Sequence, residues 1–232
     1  MKKFELISEF VTNVFGKKLF RIKALVSFGD VSAGELGGFV EKEENLSNNG
    51  NAWVSGDALV SGDALVSGNA QVSDNARVSG NAQVSGDALV SGNARVSGDA
   101  LVSGNAWVSG NARVSGNAWV SGDALVSGNA QVSGNAQVSD NARVSGNAQV
   151  SGDADFSVVT GFGRCFRATT FFRCKDKILR VQCGCFYGDL AKFREIVKKT
   201  HGDSKYAKEY LAIADLMELH FSDEEENQEA DK

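Results

Sequence analysis

The chain has 232 residues, 42% of them hydrophobic and 23% charged, with a formal net charge of −5 and no proline. No apolar run approaches the roughly 18 residues of a membrane-spanning helix, and Glu5 and Glu9 interrupt any secretory leader, so a cytoplasmic protein without membrane contact is expected. Charge is uneven: residues 51–155 hold nine Asp against four Arg, residues 156–221 hold twelve basic and seven acidic groups, and residues 222–232 hold six acidic groups and one Lys.

Residues 1–50 alternate as a strand does over Leu19-Phe20-Arg21-Ile22-Lys23-Ala24-Leu25. Glycine-punctuated loops follow, Phe28-Gly29-Asp30-Val31 and Gly34-Glu35-Leu36-Gly37-Gly38. What comes next explains their role. Seventeen valines, Val54 to Val150, recur every six residues in the pattern Val-Ser-Gly-Asn/Asp-Ala-x, and Phe156 occupies the eighteenth slot. A six-residue unit cannot bury its own apolar side, whereas stacked copies can, so the period predicts a solenoid over residues 51–156. Strand alternation turns Val and Ala inward and leaves the x and Ser positions outside, with Gly-Asn or Gly-Asp at the corners. A solenoid needs its open ends covered, and residues 1–50 are read as a β-rich N-terminal cap.

The unit resembles the hexapeptide repeat of left-handed parallel β-helices, which read aliphatic, small, any, any, small, any; Val72, Ser73 and the Ala at the fifth place fit. The resemblance implies a triangular prism with three repeats per coil. Eighteen slots then make about six coils, roughly 29 Å long at about 4.8 Å between strands. The lead-in from Phe28 to Val54 and the stretch from Thr169 to Phe221 look like segments of hexapeptide-repeat proteins of phages and prophages, a largely uncharacterised group. That resemblance implies a bacterial host and carries over no functional residue.

Beyond the repeat, residues 157–221 are expected to form a hairpin over roughly 168–187 and then two helices. A turn at Asp176-Lys177 would pair Cys174 with Leu179, Phe172 with Val181 and Thr170 with Cys183, gathering three of the four cysteines on one apolar face as buried free thiols. A metal site or disulfides are the alternatives, although Cys165, Cys174, Cys183 and Cys185 do not follow a paired C-x-x-C spacing. The first helix is expected to start at Asp189, to bury Leu190, Phe193 and Val197, and to stop at Gly202. The second is expected to start at Asp203 or Ser204 with Tyr206, Tyr210, Ile213 and Met217 on its core side. Residues 222–232 are too polar to fold and are expected to be disordered.

Most of the sequence variation in the repeat lies at the outward x positions. Taking every third slot gives one column of Trp53, Gln71, Leu89, Trp107, Leu125 and Arg143, and a second of Leu59, Arg77, Arg95, Arg113, Gln131 and Gln149. The third is Leu65, Gln83, Leu101, Trp119, Gln137 and Asp155. Arg77, Arg95 and Arg113, flanked by Ser79, Ser97 and Ser115, form a candidate row of donors for phosphate or carboxylate. Trp53, Leu89, Trp107 and Leu125 on one face, with Leu65, Leu101 and Trp119 on another, form a candidate interface, either for self-association, with a trimer favoured by family resemblance, or for a host protein.

Many left-handed β-helices are acyltransferases that use a coil-borne histidine, but no histidine precedes His201. His201 and His220 sit at helix ends, where structural roles suffice. No catalytic residue, metal site or cofactor is therefore expected. Nine dispersed Asp do not reproduce one charge per about 1.7 Å of duplex, so a nucleic-acid partner is not expected either. The expected function is a non-enzymatic, phage-encoded binding protein that counteracts host defence by sequestering a nucleotide-type anion or occluding a host protein. A structural or assembly scaffold of phage origin is the alternative, and a degenerate hexapeptide acyltransferase relative the third reading.

Overall fold

The computed structural model describes residues 2–151, 156–166, 168–173 and 178–222. Its centre is a parallel β-solenoid. Seventeen two-residue strands, β4 to β20, run one per repeat from Trp53–Val54 to Gln149–Val150. Each pairs in parallel with the strand eighteen residues away, so Leu101 lies between Gln83 and Trp119, and Val102 between Val84 and Val120. Three sheets result, and along them Leu59 to Gln149, Gln71 to Arg143 and Leu65 to Gln137 stand in the columns expected from the sequence. The valines from Val54 to Val150 and the alanines from Ala52 to Ala148 are at most 1% exposed and fill one continuous core.

Each coil donates its backbone N–H groups to the carbonyls of the next: Trp53 N to Ala70 O at 3.0 Å, Ser55 N to Val72 O at 2.9 Å. At the corners the chain needs a positive φ, which Gly98 meets at +72° with the next corner's Gly116 N only 3.0 Å from where a Cβ would sit. Asp74 and Asp140 take the same position at φ 60° and 56°. The Asp74 carboxylate compensates by accepting from Gly92 N at 2.8 Å. Corner carboxylates alternate with amides for a related reason: stacked carboxylates have only acceptors and repel, whereas an Asn between them donates. Asn69 donates to Asp87 at 2.9 Å, Asn81 to Asp99 at 2.7 Å and Asn105 to Asp123 at 2.9 Å.

The direction of this ladder leaves carbonyls without donors on the first coil and N–H groups without acceptors on the last. The N-terminal segment serves the first. Strand β2 (Lys18–Ala24) pairs antiparallel with both β1 (Phe4–Thr12) and β3 (Leu36–Val40), and β3 joins β5 (Leu59–Val60) in parallel, extending one solenoid face into a nine-stranded sheet. Phe39 N donates to Ala58 O at 2.9 Å and Ser47 N to Val66 O at 2.9 Å. Buried Asn45 donates to Gly62 O at 3.0 Å and Ala64 O at 2.8 Å, and buried Lys3 donates to Ala52 O at 2.8 Å. Gly37 and Gly38, expected in a loop, lie inside β3 because the strand runs against the first coil; a Cβ on Gly37 would stand 2.5 Å from Val54 O and from Ile22 Cγ1.

Burial pushes the Lys3 ammonium down from 10.5 to about 8. Between those pH values the unfolded chain holds a proton that the folded chain has released, so stability rises with pH across that window. Urea unfolding from pH 7.5 to 10.5 is expected to show this rise in the unaltered protein and not in Lys3→Met. An identical pH slope in both would contradict it.

The C-terminal module differs from expectation in three respects. First, the eighteenth slot is not a solenoid strand: Phe156 begins β21 (Phe156–Val159), which is antiparallel to β22 (Thr169–Arg173). Second, the expected single hairpin is part of a four-stranded antiparallel sheet completed by β23 (Leu179–Cys183) and β24 (Phe186–Asp189). Third, β22 and β23 pair one residue out of the expected register, with Phe171 opposite Val181 and Thr169 opposite Cys183. The sheet lies between two layers, which explains the slip: Phe172 packs on the solenoid core and Phe171 on the helices, both 0% exposed. Alternation cannot set register where both faces are buried. Thr170 meets one need of the last coil, its Oγ1 accepting from Arg143 N at 3.1 Å.

Helices α1 (Leu190–His201) and α2 (Lys205–His220) begin where expected. Asp189 accepts from Lys192 N and Ser204 from Ala207 N, and Gly202 closes α1 at φ 55°. Leu190, Phe193, Val197, Tyr210, Ile213 and Met217 are buried; Tyr206 is instead exposed. Among the described residues no helix is long and apolar enough to cross a membrane. Asp155, Cys174, the Asp176-Lys177 turn and residues 223–232 of the acidic tail lie outside the described residues.

Candidate functional site

Strands β8 (Arg77–Val78), β11 (Arg95–Val96) and β14 (Arg113–Val114) are consecutive in the nine-stranded sheet, with Arg77 paired to Arg95 and Arg95 to Arg113. All three side chains are exposed, because strand alternation commits the neighbouring valines to the core. Leu59 precedes the row and Gln131 and Gln149 follow it, so the column contains no acid. Nearby corner carboxylates are engaged elsewhere, Asp74 with Gly92 N and Asp99 with the Asn81 amide. Among the described residues no ion pair involves Arg77, Arg95 or Arg113. Like charges about 4.8 Å apart in water repel by about 0.9 kcal/mol, so such a row is tolerated and remains available.

The tip of the β1–β2 hairpin stands over this row, a feature the sequence reading missed. Asn13 builds the tip: its Oδ1 accepts from Phe15 N at 2.9 Å and Lys17 N at 3.0 Å, while Asn13 N donates to Lys17 O and Gly16 turns the chain at φ 77°. Lys17 then fastens the tip to the sheet through Glu41 at 2.8 Å. The other oxygen of Glu41 accepts from Gly62 N at 2.8 Å, and these two contacts hold its carboxyl below the usual range, the Lys17 contact most strongly. Tip and sheet flank an open cleft of about 290 Å³, with Val14 and Phe15 contributed by the tip, Leu19 by β2, and Leu59, Ser61, Arg77, Ser79, Arg95 and Ser97 by the solenoid sheet. Arg113 and Ser115 extend the row and do not line the cavity. The Asn-x-x-Gly spacing at 13–16 between apolar runs was the available turn signal.

The apolar columns are partly as expected. Leu89, Trp107 and Leu125 are neighbours on one sheet, and Leu101 and Trp119 on another. Trp107 and Trp119 are 47% and 45% exposed, and their indole N–H groups donate to Ser91 and Ser103. Leu65 and Leu125 are half-buried. Trp53 does not belong to an outward row. It is 2% exposed beneath the N-terminal segment, with Phe28 edge-on at 5.5 Å, because the cap that covers the open coil also covers this side chain.

The cysteines also depart from expectation. Cys165 and Cys185 are exposed free thiols and Cys183 is half-buried, its sulfur 3.2 Å from Thr169 Oγ1. The changed register and the tight turn between β23 and β24 put Cys185 outside instead of on a buried hairpin face. Among the described residues no cluster of His, Cys, Asp or Glu is arranged to hold a metal. His201 lies 5.8 Å from the Tyr210 ring and His220 4.8 Å from that of Phe221.

Comparison with known families agrees with this architecture. A family model described as the YdcK Beta solenoid repeat matches residues 70–86, 82–96, 94–110, 106–122, 118–134 and 136–152, so the central segment consists of β-solenoid repeats similar to that family's. No curated protein matches the chain.

Proposed function

We propose that this protein is a non-enzymatic binding scaffold that takes up a small anionic ligand on its arginine face. The observation that carries the reading is the hairpin tip held over Arg77 and Arg95, which makes a cavity out of an otherwise open row of unpaired guanidinium groups. A rigid solenoid fixes the backbone positions from which Arg77 and Arg95 project, so binding has to order only their side chains. In the setting suggested by the phage-like lead-in and tail sequences, the role is to sequester a host signalling anion and so blunt a defence response in the bacterial cytoplasm.

The test is titration with inorganic phosphate by calorimetry. Arg95→Gln removes a charge-assisted contact of roughly 1.5–3 kcal/mol and should weaken binding about tenfold or more, with thermal stability equal or slightly higher because repulsion in the row is relieved. Arg113→Gln, outside the cavity, should matter less. Equal binding by all three proteins would overturn the reading.

The exposed Leu and Trp rows favour self-association alongside ligand binding. Trp107→Glu combined with Trp119→Glu is expected to convert an oligomer, a trimer in this reading, to smaller species in sedimentation while circular dichroism stays unchanged. A monomer at micromolar concentration before mutation would contradict it.

A further inference from the structure

The two walls of the cavity differ in a way that a simple anion would not use. One carries Arg77 and Arg95 with Ser79 and Ser97 at its edge, enough charge and donors for a single phosphate dianion. The other is apolar, and its outermost members are the most exposed apolar side chains of the N-terminal segment, Val14 at 84% and Phe15 at 86%. Their exposure is built in. Asn13 holds the turn and the Lys17–Glu41 pair fixes it to the sheet, so Phe15 is presented by an ordered tip. Among the described residues no other aromatic ring stacks on Phe15. At about 290 Å³ the space lies at the small end of ordinary ligand pockets, which suits one ring and one phosphate.

We infer that the occupant is a phosphate carried on a flat ring, of the size of a nucleoside monophosphate, with the phosphate on Arg77 and Arg95 and the ring against Phe15. This rests on the anion-binding reading above and narrows it. Stacking on an aromatic side chain tolerates many rings and adds affinity that a bare phosphate cannot gain. The hydrogen-bonded turn holds the backbone of the tip, so ring binding has to order only the Phe15 side chain.

The experiment is calorimetric titration of the full chain with ribose 5-phosphate, adenosine monophosphate, phenyl phosphate and adenosine, repeated on Phe15→Ala and Arg95→Gln. Because Phe15 is 86% exposed, its replacement should leave the melting curve unchanged. Adenosine monophosphate is expected to bind at least tenfold tighter than ribose 5-phosphate. Phe15→Ala should weaken adenosine monophosphate far more than ribose 5-phosphate and so bring the two together, and Arg95→Gln should weaken both. Phenyl phosphate matching adenosine monophosphate would assign the contact to any ring, and phenyl phosphate binding like ribose 5-phosphate would assign it to a base; both support the inference. If the ring adds nothing and Phe15→Ala is silent, the ring contact is overturned while the anion site stands. If adenosine binds as tightly as its monophosphate, or no phosphate binds at all, both readings fail.

Discussion

Val102→Asp is expected to abolish the single cooperative unfolding transition. Val102 is fully buried between Val84 and Val120, midway along the stack, in a core of valine and alanine side chains. Burying an uncompensated charge costs several kcal/mol, and the group can escape only by taking up a proton or by pushing the coils apart. Either outcome interrupts a one-dimensional stack whose stability comes from contacts between successive coils. Gln83→Glu, one column outward on an exposed position of the adjacent strand, should cost under about 0.5 kcal/mol. Thermal melts followed by circular dichroism distinguish the two variants, and equal tolerance would contradict the inward and outward assignment.

The second large effect is expected at Trp53. The side chain is sealed between the first coil and the cap, touching Phe28, with Gly37 close beneath it. Trp53→Ala empties the joint that fastens the cap to the solenoid and should cost about 3–5 kcal/mol. The indole N–H has no hydrogen-bond partner among the described residues, so Trp53→Phe gives up volume without losing a bond and should be much milder. Denaturant unfolding of both variants measures the difference. A Trp53→Ala protein within about 1 kcal/mol of the original would show that the cap is not seated as described.

The solenoid was readable because its period is unbroken from Val54 to Val150. An inward position once identified fixes all the others, and the Arg77-Arg95-Arg113 register followed from counting alone. The ends were less readable, for physical reasons. Trp53 occupies the same slot as Trp107, yet one is buried and the other exposed, because burial at the first coil is decided by the cap and not by the repeat. Phe156 continues the spacing but meets the C-terminal sheet instead of another coil. The Phe171-Phe172 pair is apolar on both faces of its strand, so sequence alternation carried no information about register there. At the site, the arginine wall was visible in the repeat, whereas the Val14-Phe15 wall depends on where a hairpin distant in sequence folds back, and only its turn chemistry at Asn13 and Gly16 was written locally.

The most direct measurement of the binding claim is the guanidinium Nε–Hε NMR spectrum, assigned by single Arg→Lys variants and recorded as adenosine monophosphate is added. Arg77 and Arg95 line the cavity, whereas Arg143 lies on a different sheet near the far end of the solenoid. Saturable shifts largest at Arg77 and Arg95, smaller at Arg113 and absent at Arg143 are the expected result. Uniform shifts at all four, or none at any, would contradict a ligand site beneath the hairpin tip.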